Sequence, residues 1–150
     1  MTTANKQFAL AADIGGTNIR AALVDSEGRI TGRGSINTEP KRGIEDASNR
    51  LARLLNAAKA TAPIDTAIVG IGVSTAGPIR PDTGTYNNPP NLPGWHDKTM
   101  KPGLSASMGL PVWVGHDATL AALAETRFGD HLGAENLIYV TISTGVGGGI

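Results

Sequence analysis

The chain has 150 residues, which is long enough to bury one good hydrophobic core and suggests a single domain. Its 13 Lys and Arg balance 13 Asp and Glu, so the formal net charge is zero and neither a nucleic acid nor an acidic membrane is indicated as a partner. It has no cysteine, which excludes disulfides and thiolate zinc sites, and no apolar run or leader typical of membrane or secreted proteins, so we expect a cytoplasmic protein.

The N-terminal part of the chain predicts three strands followed by a helix. Strands at about 8–14 and 19–25 flank a glycine turn, and a third strand near 30–37 follows a second turn. Pro40 to Gly43 then breaks the chain. From Ile44 onward the apolar residues recur at helical spacing, which predicts an amphipathic helix whose buried positions are 44, 47, 51, 54, 55 and 58.

The following part predicts one more strand, a long loop and two further helices. Segment 67–73 is uniformly apolar and rich in β-branched residues, as buried strands are. Residues 76–103 carry most of the prolines and predict an ordered loop, which at this length is usually functional. A short helix near 100–108 and a strand at 112–114 come next. The last predicted helix has an apolar side formed by Leu120, Leu123, Ala124 and Phe128.

The final segment, 136–150, resembles the opening one. An apolar strand again runs into a hydroxyl-bearing, glycine-rich turn, which indicates a weak internal repeat. Because the second copy stops in its turn, we expect its strand to lack a hairpin partner and the chain to be the first half of a two-lobed protein. The order of all these elements predicts a mixed sheet covered by helices, an α/β architecture.

Polar residues occur at three predicted strand ends, 13–18, 74–77 and 115–118. Ligands collect at the carboxyl ends of strands in such sheets, so the three groups indicate one site. In the first group the glycine N–H groups, Thr17 and Asn18 suit the terminal phosphates of a nucleotide, and Asp13 suits a metal ion or its waters. An ordinary tight hairpin explains the glycine pair equally well.

Asp117 is the candidate catalytic residue. It lies between a strand and a helix, where helix N–H groups and the helix dipole keep a carboxylate ionised. Such a carboxylate can accept the proton of an attacking hydroxyl during phosphoryl transfer. Alternatively, Asp117 simply caps the helix. The two roles are compatible, because a capping bond can also orient a carboxylate that acts as a base.

Other polar residues each allow two interpretations. Gly72-Val-Ser74 begins like a nucleophile elbow, but residue 76 is Ala, so a turn that exposes backbone donors is favoured. His116 suits either a ligand hydroxyl or a satisfied, partly buried imidazole. Asn91 can bind a sugar hydroxyl or serve the local turn. Trp95 is expected to anchor the local core.

Four segments of the chain, taken in order, form a recognisable set. They are Asp13-Ile-Gly-Gly-Thr-Asn18, Gly72-Val-Ser-Thr-Ala-Gly-Pro78, Asn91-Leu-Pro-Gly-Trp95, and Gly115-His-Asp-Ala118 with Ala121-Ala-Leu-Ala-Glu125 and Ser143-Thr-Gly-Val-Gly-Gly-Gly149. Together they resemble the ROK family (repressors, open reading frames and sugar kinases) of the sugar kinase, Hsp70 and actin superfamily, and their order and spacing argue against a chance match. The resemblance implies a ribonuclease H-like (actin-like ATPase) lobe over 1–116, with a mixed five-stranded sheet flanked by helices. A connecting helix and the first strand of a second lobe would occupy 117–150.

The resemblance further implies a glucokinase-like activity, the ATP-dependent phosphorylation of a hexose or N-acylhexosamine hydroxyl with Mg²⁺. Asp117 would be the base and Asp13 would help to hold the metal. A homo-oligomer is implied for the full-length protein. The nucleotide phosphates would be met by Gly15, Gly16, Thr17 and Asn18 from one lobe and by Thr144 and Gly145 from the other. The sugar would be contacted by Gly77, Asn91, His116 and Asp117.

The chain departs from the family pattern in two positions and lacks several family segments. His116 and Ser143 stand where family kinases usually carry Asn and Gly. A histidine before the aspartate also occurs in sugar-sensing regulators of the family, which bind sugar without phosphorylating it. Such regulators place a DNA-binding domain first, and only seven residues precede Phe8, so the kinase is favoured. The zinc-binding cysteines and the adenine site would lie beyond Ile150, so we expect this chain alone not to be a competent kinase.

Overall fold

The computed structural model describes residues 7–130, 134–142 and 146–150. No helix within these ranges is both long and apolar enough to cross a membrane. The described residues form strands and helices and a short 3-10 helix at Pro40–Arg42. The elements are β1 (Gln7–Ile14), β2 (Asn18–Asp25), β3 (Ile30–Asn37), α1 (Ile44–Lys59), β4 (Ala67–Thr75), β5 (Ile79–Arg80), β6 (Thr85–Tyr86), α2 (Lys101–Met108), β7 (Val112–His116), α3 (Asp117–Phe128), β8 (Tyr139–Ile142) and β9 (Val146–Gly149).

A mixed five-stranded sheet in the order β3-β2-β1-β4-β7 forms the centre of the fold. β1, β2 and β3 are antiparallel neighbours, whereas β4 runs parallel to β1 and β7 runs parallel to β4. Asp13 pairs with Ser74, and Ser74 pairs with Gly115. The carboxyl ends of three parallel strands therefore meet at one edge, and the predicted α/β sheet is confirmed.

The pairing of β1 with β4 shifts by one residue near the start of the strands. Phe8 pairs with Ile68, but Leu10 pairs with Ile71, so β4 carries one extra residue in this stretch. Gly70 lies within it, and a Cβ there would come 2.5 Å from Trp113 Cζ3 and 3.1 Å from the Pro111 oxygen. Glycine at position 70 thus allows β4 and β7 to approach closely under the Trp113 ring.

One face of the sheet packs on α1, as the periodicity predicts. Alternate residues of β1 and β2 are buried, because successive strand residues point to opposite faces. Burying one such Leu or Ile side chain contributes about 1.5–3 kcal/mol, so this interface supplies much of the stability of the fold. The fully buried side chains of the interface are Leu10, Ile14, Ile19 and Leu23 of the sheet and Ala47, Leu51 and Leu55 of α1.

The long proline-rich loop contains a short hairpin, β5 with β6, and is tied to the core by aromatic residues. Tyr86 is fully buried, and its hydroxyl lies 2.8 Å from Thr75 Oγ1 at the end of β4. Trp95 meets the Tyr86 ring edge-on at a centroid distance of 5.3 Å, and its Nε1 donates to the Pro40 oxygen at 3.1 Å. The expectation that Trp95 anchors the local core is confirmed.

The predicted apolar side of α3 is wrong. The buried residues of this helix are Ala118 and Ala122, whereas Leu123 is 54% exposed and Phe128 is 62% exposed. β9 approaches α3 so closely that a Cβ on Gly149 would collide with the Ala118 carbonyl. Small side chains therefore occupy the packed face, and the large ones lie outside it.

The expectation that the last strand lacks a partner is also wrong. β8 pairs antiparallel with β9, from Tyr139 opposite Gly149 to Ile142 opposite Val146. The hairpin packs on α3. The residues between its strands, Ser143, Thr144 and Gly145, lie outside the described residues, as does His131.

The buried Tyr86 hydroxyl predicts a loss of stability at alkaline pH. Burial raises the pKa of Tyr86 from 10.0 to about 12, with the hydrogen bond to Thr75 acting in the opposite direction. Between these two values the unfolded chain loses the phenol proton and the folded chain keeps it, so the free energy of unfolding falls as pH rises. At about 1.4 kcal/mol per pKa unit, the contribution present below pH 10 amounts to roughly 3 kcal/mol.

Urea unfolding between pH 9 and pH 12 measures this loss. Tyr86→Phe is expected to flatten the dependence on pH, whereas Thr75→Val, which keeps the buried phenol, should retain it. An unchanged slope in Tyr86→Phe would contradict the assignment.

Candidate functional site

The parallel strand ends form the walls of one cleft. β1 contributes Asp13, β4 contributes Ser74 in register with it, and β7 leads directly into Asp117. The cleft has a volume of about 480 Å³. Its lining residues are Asp13, Arg20, Ser74, Asp117, Ala118, Ala121, Tyr139 and Thr141. The predicted convergence of these strand ends is confirmed as geometry, and it brings both candidate carboxylates to the same space.

The glycine turn joins β1 to β2 as a tight hairpin. Gly15 N–H donates to the Asn18 oxygen at 2.9 Å, and Thr38 binds the carbonyl oxygens of Gly15 and Thr17. Neither Gly15 nor Gly16 has a positive φ. The N–H groups of Gly16 and Thr17 donate to no other described residue. The turn is therefore a hairpin that also holds two open donors, so the two interpretations are compatible.

Asp117 lies in the first turn of α3, and His116 is the residue at its N-cap. The Asp117 carboxylate accepts a hydrogen bond from Ala118 N–H at 2.7 Å through Oδ1, while Oδ2 has no partner among the described residues. His116 makes no side-chain capping bond, and its Nε2 is 3.4 Å from Asp117 Oδ1. The interpretation of Asp117 as the helix cap is wrong, because His116 is the N-cap and Asp117 is the first residue of α3. A capping side chain binds the N–H two or three residues further on, whereas Asp117 binds the N–H of its neighbour Ala118.

Arg20 lines the cleft but is not among the predicted site residues. It lies directly opposite Asp13 in the antiparallel β1–β2 pair, and its Nη1 is 3.0 Å from Asp13 Oδ2. Both side chains are exposed, and an exposed ion pair contributes only about 0.2–1 kcal/mol. Asp13 can therefore exchange this partner for another at little cost. Asp13 and Arg20 are seven residues apart around the predicted tight turn, and this spacing could have revealed the ion pair from the sequence.

Asn91 packs against Gly16 of the glycine turn. A Cβ on Gly16 would lie 2.8 Å from Asn91 Cβ and 3.1 Å from the Asn91 oxygen. Gly77 has a φ of 96°, and a Cβ there would lie 2.8 Å from Pro89 Cβ, so it packs on the same loop. Neither Gly77 nor Asn91 lines the cleft that holds the two carboxylates. His116 does not line the cleft either, so Asp117 is the one predicted sugar residue among the lining residues.

The carboxylates of the cleft fit a hard divalent cation bound together with phosphates. No group of three or more His, Asp or Glu side chains suited to a metal occurs in the described part of the chain. Mg²⁺ commonly uses one or two carboxylates and completes its coordination with waters and substrate phosphates. Asp13 is the exposed carboxylate beside the glycine turn, so it is the residue that suits this role.

Comparison with known proteins identifies the family. The ROK family model matches residues 9–150. The chain belongs to the ROK family. The sequence of this chain is 37% identical over 139 residues to a glucokinase of Streptomyces coelicolor. It is also 37% identical over 142 residues to an N-acetylmannosamine kinase of Yersinia pseudotuberculosis. These matches cover 92% and 94% of the chain but only 41% and 46% of the two relatives, so the chain spans less than half of their length.

A solved ROK structure has the same fold. The ROK glucokinase of Streptomyces griseus, described in complex with glucose and AMPPNP, superposes with a TM-score of 0.82 at 32% identity. The match covers 94% of this chain and 43% of that one. The predicted fold, an actin-like ATPase lobe with a mixed five-stranded sheet, is confirmed.

The contact between Asn91 and the glycine turn predicts that alanine destabilises the protein more at position 16 than at position 15. Gly16→Ala forces a methyl group against Asn91 and should lower stability by about 1–3 kcal/mol, as overpacking does. Gly15→Ala meets only the Asn18 oxygen at 3.5 Å and should change stability by less than about 1 kcal/mol. Urea unfolding of the two variants makes the comparison, and equal effects would contradict the close approach of Asn91.

Proposed function

We propose that this ROK chain forms part of an enzyme that transfers the γ-phosphoryl group of ATP to a hydroxyl of a hexose or N-acylhexosamine. The observation that carries the proposal is the cleft in which Asp13 and Asp117 meet, beside a turn whose Gly16 and Thr17 N–H groups have no partner in the described part of the chain. The similarity to a glucokinase and an N-acetylmannosamine kinase supports the same substrate class. Residues 1–116 form one lobe in this proposal, and 117–150 lead into a second.

Asp117 acts as the general base. Its Oδ1 accepts a hydrogen bond from the Ala118 N–H, which orients the carboxylate. Its Oδ2 faces no partner among the described residues and is the oxygen that takes the proton of the attacking sugar hydroxyl. As that proton leaves, the sugar oxygen bonds to phosphorus and the bond from phosphorus to the ADP oxygen breaks.

The glycine turn binds the phosphates. The N–H groups of Gly16 and Thr17 have no partner among the described residues, so they can donate to phosphate oxygens. Asn18, Thr144 and Gly145 complete the proposed phosphate contacts. Gly15 is not among them, contrary to the sequence-based expectation, because its N–H donates to the Asn18 oxygen and its carbonyl accepts from Thr38. Asp13 would hold Mg²⁺, and the ion would supply charge neutralisation to the phosphates when bound.

The sugar lies on the loop side of the cleft. Asn91 and Gly77 border it from the proline-rich loop, and His116 borders it from the end of β7. His116 lies next to the base, with Nε2 3.4 Å from Asp117 Oδ1, so a sugar hydroxyl that reaches Asp117 also comes within reach of the imidazole. Catalysis on this scheme depends on positioning rather than on a covalent intermediate.

Replacement of the base gives the decisive prediction. Asp117→Asn preserves an oxygen for the Ala118 N–H but cannot take a proton, so sugar-dependent ADP release should fall about a hundredfold to ten-thousandfold. Asp130→Asn, an exposed residue just beyond α3, is the matched control and should leave the rate unchanged. Activity is measured on the 150-residue chain and on the longest reading frame that contains it, across a panel of hexoses and N-acylhexosamines.

Two results would overturn the proposal. Full activity in Asp117→Asn would exclude Asp117 as the base. Absence of turnover in every form that binds sugar by calorimetry would favour a sugar-sensing protein instead of a kinase.

A further inference from the structure

The glycine turn depends on a partner outside the predicted motifs. Gly15 and Gly16 restrict the backbone little, so the turn alone does not fix the orientation of its peptides. Thr38, directly after β3, binds two of them. Its Oγ1 donates to the Gly15 oxygen at 2.7 Å, and its N–H donates to the Thr17 oxygen at 2.8 Å. Thr38 is fully buried.

Thr38 is in turn held by Arg50 of α1. Arg50 Nη1 and Nη2 donate to the carbonyl oxygens of Asn37 and Thr38, each at 2.5 Å. The Arg50 side chain is only 10% exposed, so this planar group is fixed on one side of the β3 end. Because each guanidinium nitrogen has a rigid direction, a lysine could not make both bonds in the same way.

Asp46 orients Arg50. Arg50 Nε donates to Asp46 Oδ2 at 2.6 Å, one helical turn away on α1, and Arg42 Nη2 donates to Asp46 Oδ1 at 2.8 Å. The hydrogen bond from Arg50 lowers the pKa of the Asp46 carboxyl, and the charge of Arg42 adds to the effect. A continuous series of hydrogen bonds therefore runs from α1 through Thr38 to the glycine turn.

The series fixes the peptide that carries the Gly16 N–H, because Thr38 holds the Gly15 carbonyl of that peptide. Thr38 occupies the Gly15 and Thr17 carbonyls, and the N–H groups of Gly16 and Thr17 remain without partners among the described residues. If a glycine peptide turned over, a carbonyl oxygen would take the place of an N–H donor and would repel a phosphate. We propose that Thr38, held by Arg50, is a positioning residue that fixes the glycine turn in its phosphate-binding orientation. This inference rests on the proposed function.

Binding of Mg·AMPPNP and of glucose, measured separately by calorimetry on the longest reading frame that contains the chain, tests the inference. Thr38→Val removes the Oγ1 donor with little change in shape, and loss of that bond should weaken Mg·AMPPNP binding about tenfold while glucose binding stays the same. Thr38→Ser keeps the hydroxyl and should restore nucleotide affinity. Arg50→Lys should act like Thr38→Val, whereas Arg53→Lys, an exposed position on the same helix, is the matched control.

The outcomes separate the two proposals. If the wild-type protein binds no Mg·AMPPNP, the proposed function fails and this inference fails with it. If the wild type binds it and folded Thr38→Val binds it equally well, only the positioning role is excluded. An equal loss of glucose and nucleotide affinity in Thr38→Val would also overturn it, because that pattern indicates general damage. Circular dichroism confirms folding, and amide hydrogen exchange at Gly15, whose N–H binds the Asn18 oxygen, should be faster in Thr38→Val than in the wild type if the turn has loosened.

Discussion

The parallel pairing of β1, β4 and β7 is the constraint on which the rest of the structure depends. Parallel strands cannot be joined by a tight turn, so the chain must return across the sheet between each pair. α1 and α2 make these returns and cover one face. The same arrangement brings three strand ends to one edge, where Asp13, Ser74 and Asp117 line a common cleft. The hydrophobic core and the site are thus two results of one topology.

The two carboxylates of the cleft have different surroundings. Asp13 lies opposite Arg20 in an exposed ion pair, which leaves it available to another cation. Asp117 has one oxygen bound to a helix N–H, and the other has no partner within the described ranges. Different roles for two identical groups can follow from such differences in neighbours, and they support the assignment of one to a metal and the other to a proton.

The sequence predicts the parts of the fold that depend on local periodicity. The apolar runs identify β1 and β2 as strands, and the helical spacing from Ile44 identifies the buried face of α1, because both signals are short-range patterns. The buried side of α3 does not follow, because it depends on how closely β9 approaches Ala118. β9 itself is mostly glycine, which has little strand preference, and it forms through pairing with β8. Arg20 and Thr38 are placed by strand register and by contacts with distant segments.

The extra residue in β4 has a consequence for how the chain tolerates changes in length. Side chains alternate between the two faces of a strand, so a change of one residue exchanges the faces of everything beyond it. The shift near Gly70 is what brings Ser74 rather than Thr75 to the cleft, while Thr75 binds Tyr86 inside the core. A deletion there would exchange these two residues. An insertion in a surface loop leaves these faces unchanged, whereas a change in the length of β4 exchanges them.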